Sequence, residues 1–151
     1  MAPYNLEKLS SLLRRSLEGN FFSTGFDKLR LMSAANGRCT AELTICPDTC
    51  NNVRTLHGGM SATLVDMVST YALLTLRDVR NVSVDMSMSY LAQARVGDTV
   101  IIEATTAKLG RSVAFLDVLI QNKDSGEILV KGMHTKHLNS QLDYLGNKIQ
   151  I

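Results

Sequence analysis

Leu6, Leu9, Leu13 and Leu17 recur at helical spacing. The pattern predicts an amphipathic helix over about 5–18, ended by Gly19 and Asn20 and docked on the main body through its leucine stripe. From Phe26 the pattern shortens into runs. Segments 27–35 and 38–45 flank Asn36-Gly37, a dipeptide that takes the positive φ values of a tight hairpin, so two strands are expected there. After a loop over 47–54, His57-Gly58-Gly59 opens a segment that runs to Leu76. Its apolar residues, from Met60, Leu64 and Met67 round to Val65, Ala72 and Leu73, cover most of a helical circumference. A helix apolar nearly all round is a buried one.

Beyond that helix, Val82, Val84, Met86, Met88 and Tyr90 alternate with Ser83, Asp85, Ser87 and Ser89, the period-two signature of a strand with two unlike faces. Three more strands are expected over about 98–108, 112–122 and 127–138, separated by the Leu109-Gly110-Arg111 and Asp124-Ser125-Gly126 turns. The last dozen residues, from about 139, read as a tail. The links after Tyr90 are short enough for antiparallel neighbours, which gives an α+β arrangement: a sheet of about six strands curled around one apolar helix, in a single domain.

Composition narrows the function. The chain has 151 residues with 45% hydrophobic positions and a net charge of +2, so it has the length for a sizeable core and no basic surface for nucleic acid. Met60 to Leu76 is interrupted by Ser61, Thr63, Asp66, Ser69, Thr70 and Thr75 and makes a poor membrane span. The N-terminus has no apolar stretch of signal-peptide type, and Glu7 and Glu18 beside Arg14 and Arg15 are unusual for a transit peptide. Cys39, Cys46 and Cys50 are odd in number and form no C-x-x-C pair, which argues for a reducing compartment rather than a disulfide framework. A metal site would draw on His57, His134 and His137. Three residues apart on a strand, however, His134 and His137 point to opposite faces, so no metal is expected.

The candidate chemistry lies on the buried helix. Asp66 is the only charged side chain from Gly58 to Leu76, and a carboxylate there is costly unless it is paired or does work. It either serves catalysis or faces a watery seam or a cationic partner. His57-Gly58-Gly59 directly precedes the helix, where unpaired backbone N–H groups and the positive end of the helix dipole favour a carbonyl oxygen gaining negative charge. Glycine lets that carbonyl approach the backbone closely. Gly58 and Asp66 are about 12 Å apart along the helix axis at 1.5 Å per residue. If both act on one carbon, Asp66 must come from a second copy whose helix runs antiparallel, which predicts a two-fold dimer with shared sites.

The run Asn51-Asn52-Val53-Arg54-Thr55-Leu56-His57-Gly58-Gly59-Met60-Ser61-Ala62-Thr63-Leu64-Val65-Asp66 resembles the helix signature of hotdog-fold acyl-CoA thioesterases. Val82-Ser83-Val84-Asp85-Met86 with Tyr90, then Gly110-Arg111-Ser112-Val113-Ala114-Phe115, and Gly132-Met133-His134-Thr135-Lys136-His137-Leu138 resemble later segments of that family in order. The resemblance implies a sheet wrapped around a central helix, two chains joined in a continuous double sheet, and two dimers in a homotetramer. It implies that Asn51 and the Gly58 amide hold the thioester carbonyl, that Asp66 of the facing subunit is general base or nucleophile, that Ser83 orients the water, and that His57 supports the loop. It places the coenzyme A portion at Gly59, Asp85, Tyr90, Lys108, Leu109, Gly110, Arg111, Ser112, Val113, Lys136 and His137, where Lys108, Arg111 and Lys136 meet phosphates.

Strict alternation puts Ser83 on the polar face, opposite Val82 and Val84, and does not by itself direct it at the site. Gln93 stands where the family often has proline, which is expected to loosen the Ala94-Arg95-Val96-Gly97 turn. The implied reaction is hydrolysis of medium- to long-chain acyl-CoA, with no cofactor because coenzyme A is part of the substrate. Met60, Leu64, Met67, Met86 and Met88 offer an adaptable lining for an alkyl chain. Family resemblance adds a lipid-transfer protein as partner and a cytoplasmic location with association to mitochondria. The rival readings are a hydroxyacyl-thioester dehydratase and a non-catalytic acyl-CoA binding or scaffold protein.

Overall fold

The computed structural model describes residues 3–18 and 25–149. Helix α1 (Leu6–Glu18) buries Leu9 and Leu13 against strand β1, and Asn5 caps its start by accepting the Lys8 amide at 2.9 Å. The expected end at Gly19 and Asn20 lies outside the described residues. Strands β1 (Arg30–Ala35) and β2 (Arg38–Thr44) form the hairpin that Asn36-Gly37 predicts, with both turn residues at positive φ, 52° and 78°. A 3₁₀ turn, Pro47–Thr49, leads to the central helix α2 (Gly58–Leu74). Strands β3 (Arg80–Tyr90), β4 (Thr99–Leu109), β5 (Val113–Asn122) and β6 (Ile128–Asn139) complete the sheet.

The sheet is antiparallel with strand order β1-β2-β4-β5-β6-β3. It curls around α2, whose Leu64, Val65, Val68, Ala72, Leu73 and Leu74 are fully buried, as an all-round apolar helix requires. Gly132 of β6 permits the close approach: a Cβ there would lie 2.9 Å from Val65 Cγ1. Among the described residues no helix is long and apolar enough to cross a membrane. The three cysteines are free, and burial pushes the Cys39 thiol up to about 12.

Three features depart from the sequence reading. Short links do make β4, β5 and β6 neighbours, but β3 pairs with β6 rather than with β4. The eight residues between them cross the end of the sheet instead of turning back. Leu91 and Ala92 donate to the Leu129 carbonyl, and Ala94 accepts from the Leu56 amide. The Gln93 turn is not loose: Arg95 N–H donates to Asp98 Oδ2 at 2.8 Å, Asp98 N–H returns to the Arg95 carbonyl at 3.0 Å, and Gly97 N–H reaches Ile45. Nor does the chain trail off after β6. Leu142 and Lys148 form an antiparallel bridge, Leu142 accepts from the Arg80 amide at 2.9 Å, and Tyr144 stacks edge-on against Tyr4.

A local irregularity in β3 matters for the site. The register with β6 shifts between Ser83 and Asp85, leaving Val84 as a bulge residue. One extra residue reverses the inward and outward sense of everything beyond it. Ser83 therefore lies across from Lys136, Met86 from His134 and Met88 from Gly132, all buried positions on the helix side of β6. The polar-face assignment of Ser83 is corrected by this bulge.

Candidate active site

Asn51 opens the loop before α2 and folds it with its own side chain. Its Oδ1 accepts the backbone N–H groups of Val53 and Thr55, each at 3.1 Å, while Nδ2 donates to Thr55 Oγ1 at 2.9 Å. These bonds fold the loop around Arg54, which lies in the left-handed region at φ 62°, a conformation uncommon for any residue other than glycine. An amide nitrogen carries two protons, and the second proton of Asn51 has no partner among the described residues. His57 is the N-cap of α2, its Nδ1 accepting from the Gly59 amide at 2.8 Å. The Gly59 donor is thereby spent. Gly58 is the first residue of the helix, so its N–H has no intrahelical acceptor and points out of the first turn. Tyr90 secures that glycine by donating its hydroxyl to the Gly58 carbonyl at 3.1 Å, and its ring lies 3.4 Å from where a Gly58 Cβ would stand. Asn51, Gly58, Ser61 and Tyr90 line a cavity of about 230 Å³.

Two turns further along α2, Asp66 opens on a second cavity of about 330 Å³, lined also by Thr63, Met67, Tyr71 and Tyr144. Its side chain is 48% exposed, and Oδ1 lies 3.3 Å from Lys136 Nζ. Lys136 itself is only 3% exposed. Burial lowers its pKa while the Asp66 carboxylate opposes that shift. The expectation that Lys136 meets coenzyme A phosphates is thus corrected: β6 turns it inward, and its ammonium is engaged by Asp66. The carboxylate also reaches the cavity's phenols. Burial first, and Asp66 with it, pushes Tyr144 up, keeping it neutral.

His134 completes the cluster. It is 1% exposed, with Nδ1 2.8 Å from Ser69 Oγ, Nε2 2.8 Å from Ser83 Oγ, and Nε2 3.8 Å from Asp66 Oδ1. His137 faces the other side of β6 and is exposed, as the spacing requires. Sequence reading considered His134 only as a metal ligand. The usable signal was the alternation itself, which sets His134 and Lys136 on the same face as Leu138 and so gives two polar side chains on a core-facing row.

Burial lowers the His134 pKa to about 4, helped by the Lys136 cation and opposed by Asp66 and Asp85. The unfolded chain takes up this proton near 6.5 and the folded chain only near 4. In that window the unfolded state binds more protons, so stability is full above about 6.5 and declines as the pH falls towards 4. Denaturant unfolding of the wild type between pH 7 and 4.5 should show an acid decline that His134→Gln makes shallower. Parallel curves for the two proteins would assign the decline to other groups.

The remaining sequence-predicted residues gather at the opposite end of α2. Gly110 N–H donates to the Val113 carbonyl at 2.8 Å, and Arg77, just past the helix, donates to the Gly110 carbonyl at 3.2 Å. Lys108, Arg111 and Ser112 are exposed on this turn, with Leu109 half-buried beneath. Val113 pairs with His137, and the Ser112 carbonyl accepts from Leu138, so the turn and His137 are brought together. Asp85 is exposed on β3, on the far side of the bulge from Ser83. Arg77 was not foreseen; only its place at the helix end distinguishes it in the sequence.

The Thioesterase superfamily family model matches residues 54–129. Acyl-coenzyme A thioesterase 13 of Homo sapiens is 38% identical over 135 residues, covering 89% of this chain and 96% of that protein. The crystal structure of zebra fish thioesterase superfamily member 2 superposes with a TM-score of 0.86 at 37% identity, covering 90% of this chain and 99% of the other. That of thioesterase superfamily member 2 from Mus musculus gives 0.80 at 35%, with 89% and 97% covered. The antiparallel sheet curled around a central helix agrees with these matches: the chain belongs to the thioesterase superfamily and is a hotdog-fold thioester hydrolase.

Proposed function

We propose that the protein hydrolyses medium- to long-chain fatty acyl-CoA to free fatty acid and coenzyme A, in a site shared between two copies of the chain. The observation that carries this reading is the separation of its halves. Within one chain, Asn51 and Gly58 line one cavity and Asp66 another, with no residue in common. A carbonyl held at the first is completed by Asp66 of a facing copy. Strand β3 supports such pairing, since it is the last strand of the sheet, eleven residues long, with Val82 55% and Val84 63% exposed. A homotetramer, as a dimer of such dimers, is part of the same proposal.

In the mechanism, the Asn51 amide and the Gly58 N–H donate to the thioester oxygen and stabilise the charge it gains as the carbonyl carbon becomes tetrahedral. Asp66 takes a proton from water as it attacks, and Ser83 holds that water; collapse of the intermediate expels the coenzyme A thiolate. His57 fixes the helix start. Lys108, Arg111 and His137, with the backbone of 109–113, meet the coenzyme A portion, and Gly59, Asp85 and Tyr90 flank its path. The reaction so written draws on no cofactor. The name of the human relative supports coenzyme A thioesters as substrates. A lipid-transfer protein partner and work in the cytoplasm and at mitochondria complete the reading.

The test is release of free thiol from a panel of acyl-CoAs, medium to long, plus an aromatic one. Hydrolysis with a rate maximum among the fatty acyl chains is expected. Binding without thiol release would favour a carrier role, and product without free thiol would favour a dehydratase.

A further inference from the structure

Ser69 and His134 belong to neither cavity, and none of the roles above uses them. Both are buried, and they link the α2 backbone to Ser83 through two 2.8 Å contacts. A proton inventory fixes the direction of the chain. The Ser69 hydroxyl has one proton and two candidate acceptors, the Asp66 carbonyl at 3.1 Å and His134 Nδ1 at 2.8 Å. The Asp66 carbonyl already accepts the Thr70 hydroxyl at 2.7 Å, so the ring nitrogen is the less crowded acceptor as well as the nearer. On the other side of the ring, Asp66 Oδ1 lies 3.8 Å from Nε2. A carboxylate attracts an N–H there and repels a bare lone pair. Both ends therefore select the neutral tautomer that carries its proton on Nε2.

In that tautomer His134 donates to Ser83 Oγ. One Ser83 lone pair is occupied, and its own proton is left to turn towards the open side of β3, beside Asp66. We propose that His134, held in this tautomer by Ser69, is a positioning residue that aims the Ser83 hydroxyl, as a donor, at the attacking water. The water then accepts from Ser83 with one lone pair, gives a proton to Asp66, and keeps its second lone pair for the carbonyl carbon. The inference rests on the reading of Asp66 and Ser83 as the groups that handle water.

The test is a double-mutant cycle read in kcat and KM of thiol release. His134→Ala in the wild-type background should lower kcat by about 10- to 100-fold and leave KM within about twofold. In the Ser83→Ala background the same change should cost less than about twofold, because the group it acts through is gone. His134→Gln, whose amide nitrogen reaches the position of Nε2, should recover most of kcat; His134→Asn, which reaches only Nδ1, should not. Ser69→Ala removes one oxygen and serves as the second entry to the cycle should His134→Ala fail to fold. It should lower kcat several-fold with Ser83 present and hardly at all without it. Additive losses in both cycles, or equal rescue by Gln and Asn, would overturn the proposal. A wild type that releases no thiol would instead overturn the hydrolase reading on which it rests, so the two failures are distinguishable.

Discussion

Asp66→Asn is expected to lower thiol release by about 10³-fold or more while the protein stays folded. The carboxylate is half exposed and lines a cavity, so an isosteric amide neither opens a void nor overpacks the core. Its carbonyl oxygen still accepts from Lys136. On the proposed mechanism, what is lost is the capacity to take a proton from water in the transition state, and among the described residues no side chain in contact with Asp66 stands free to assume it. His134 is the nearest base, but its lone pair on Nδ1 is taken by Ser69 and its Nε2 contact by Ser83. The measurement is kcat for a medium-chain acyl-CoA, with thermal unfolding as the control. A folded Asn variant within tenfold of the wild type would remove Asp66 from the role of base.

The second large effect is expected at Asn51. Replacement by alanine would remove the acceptor that folds the 51–55 loop and the donor to the substrate together, and a lost rate would then have two explanations. Asn51→Asp separates them. An aspartate still accepts from the Val53 and Thr55 amides, so the left-handed Arg54 and the approach to α2 persist. It has no N–H for the thioester oxygen and faces the developing negative charge with one of its own. A fall of about 10²-fold in kcat/KM is expected, the usual loss for one donor of an oxyanion site. Activity within twofold of wild type would show that the Gly58 amide suffices and that Asn51 serves only its loop.

Much of this arrangement was legible in the chain because local chemistry dictated it. Asn36-Gly37 takes positive φ whatever surrounds it, and a seventeen-residue helix apolar on all sides has no place but the inside of a sheet. The place of β3 beside β6 was not legible. An eight-residue link is compatible with turning back or crossing over, and the choice rests on Leu91 and Ala92 meeting Leu129, a contact between segments far apart in sequence. The inward row of His134 and Lys136 was readable from alternation but looked like a surface, since both residue types are usually solvated. Lys136 is buried because Asp66 of α2 stands opposite it, and pairing across elements leaves no mark in either segment alone.

The unpaired residue at Val84 divides β3 into two phases. A strand of unbroken alternation must give each face one character along its whole length: here serines and an aspartate on one side, valines and methionines on the other. With the phase reset once, the same surface shows a hydroxyl at Ser83 and then thioethers at Met86 and Met88. A single stretch of eleven residues thus presents a polar position and then an apolar track on one face, with the boundary drawn by one backbone step rather than by a second structural element.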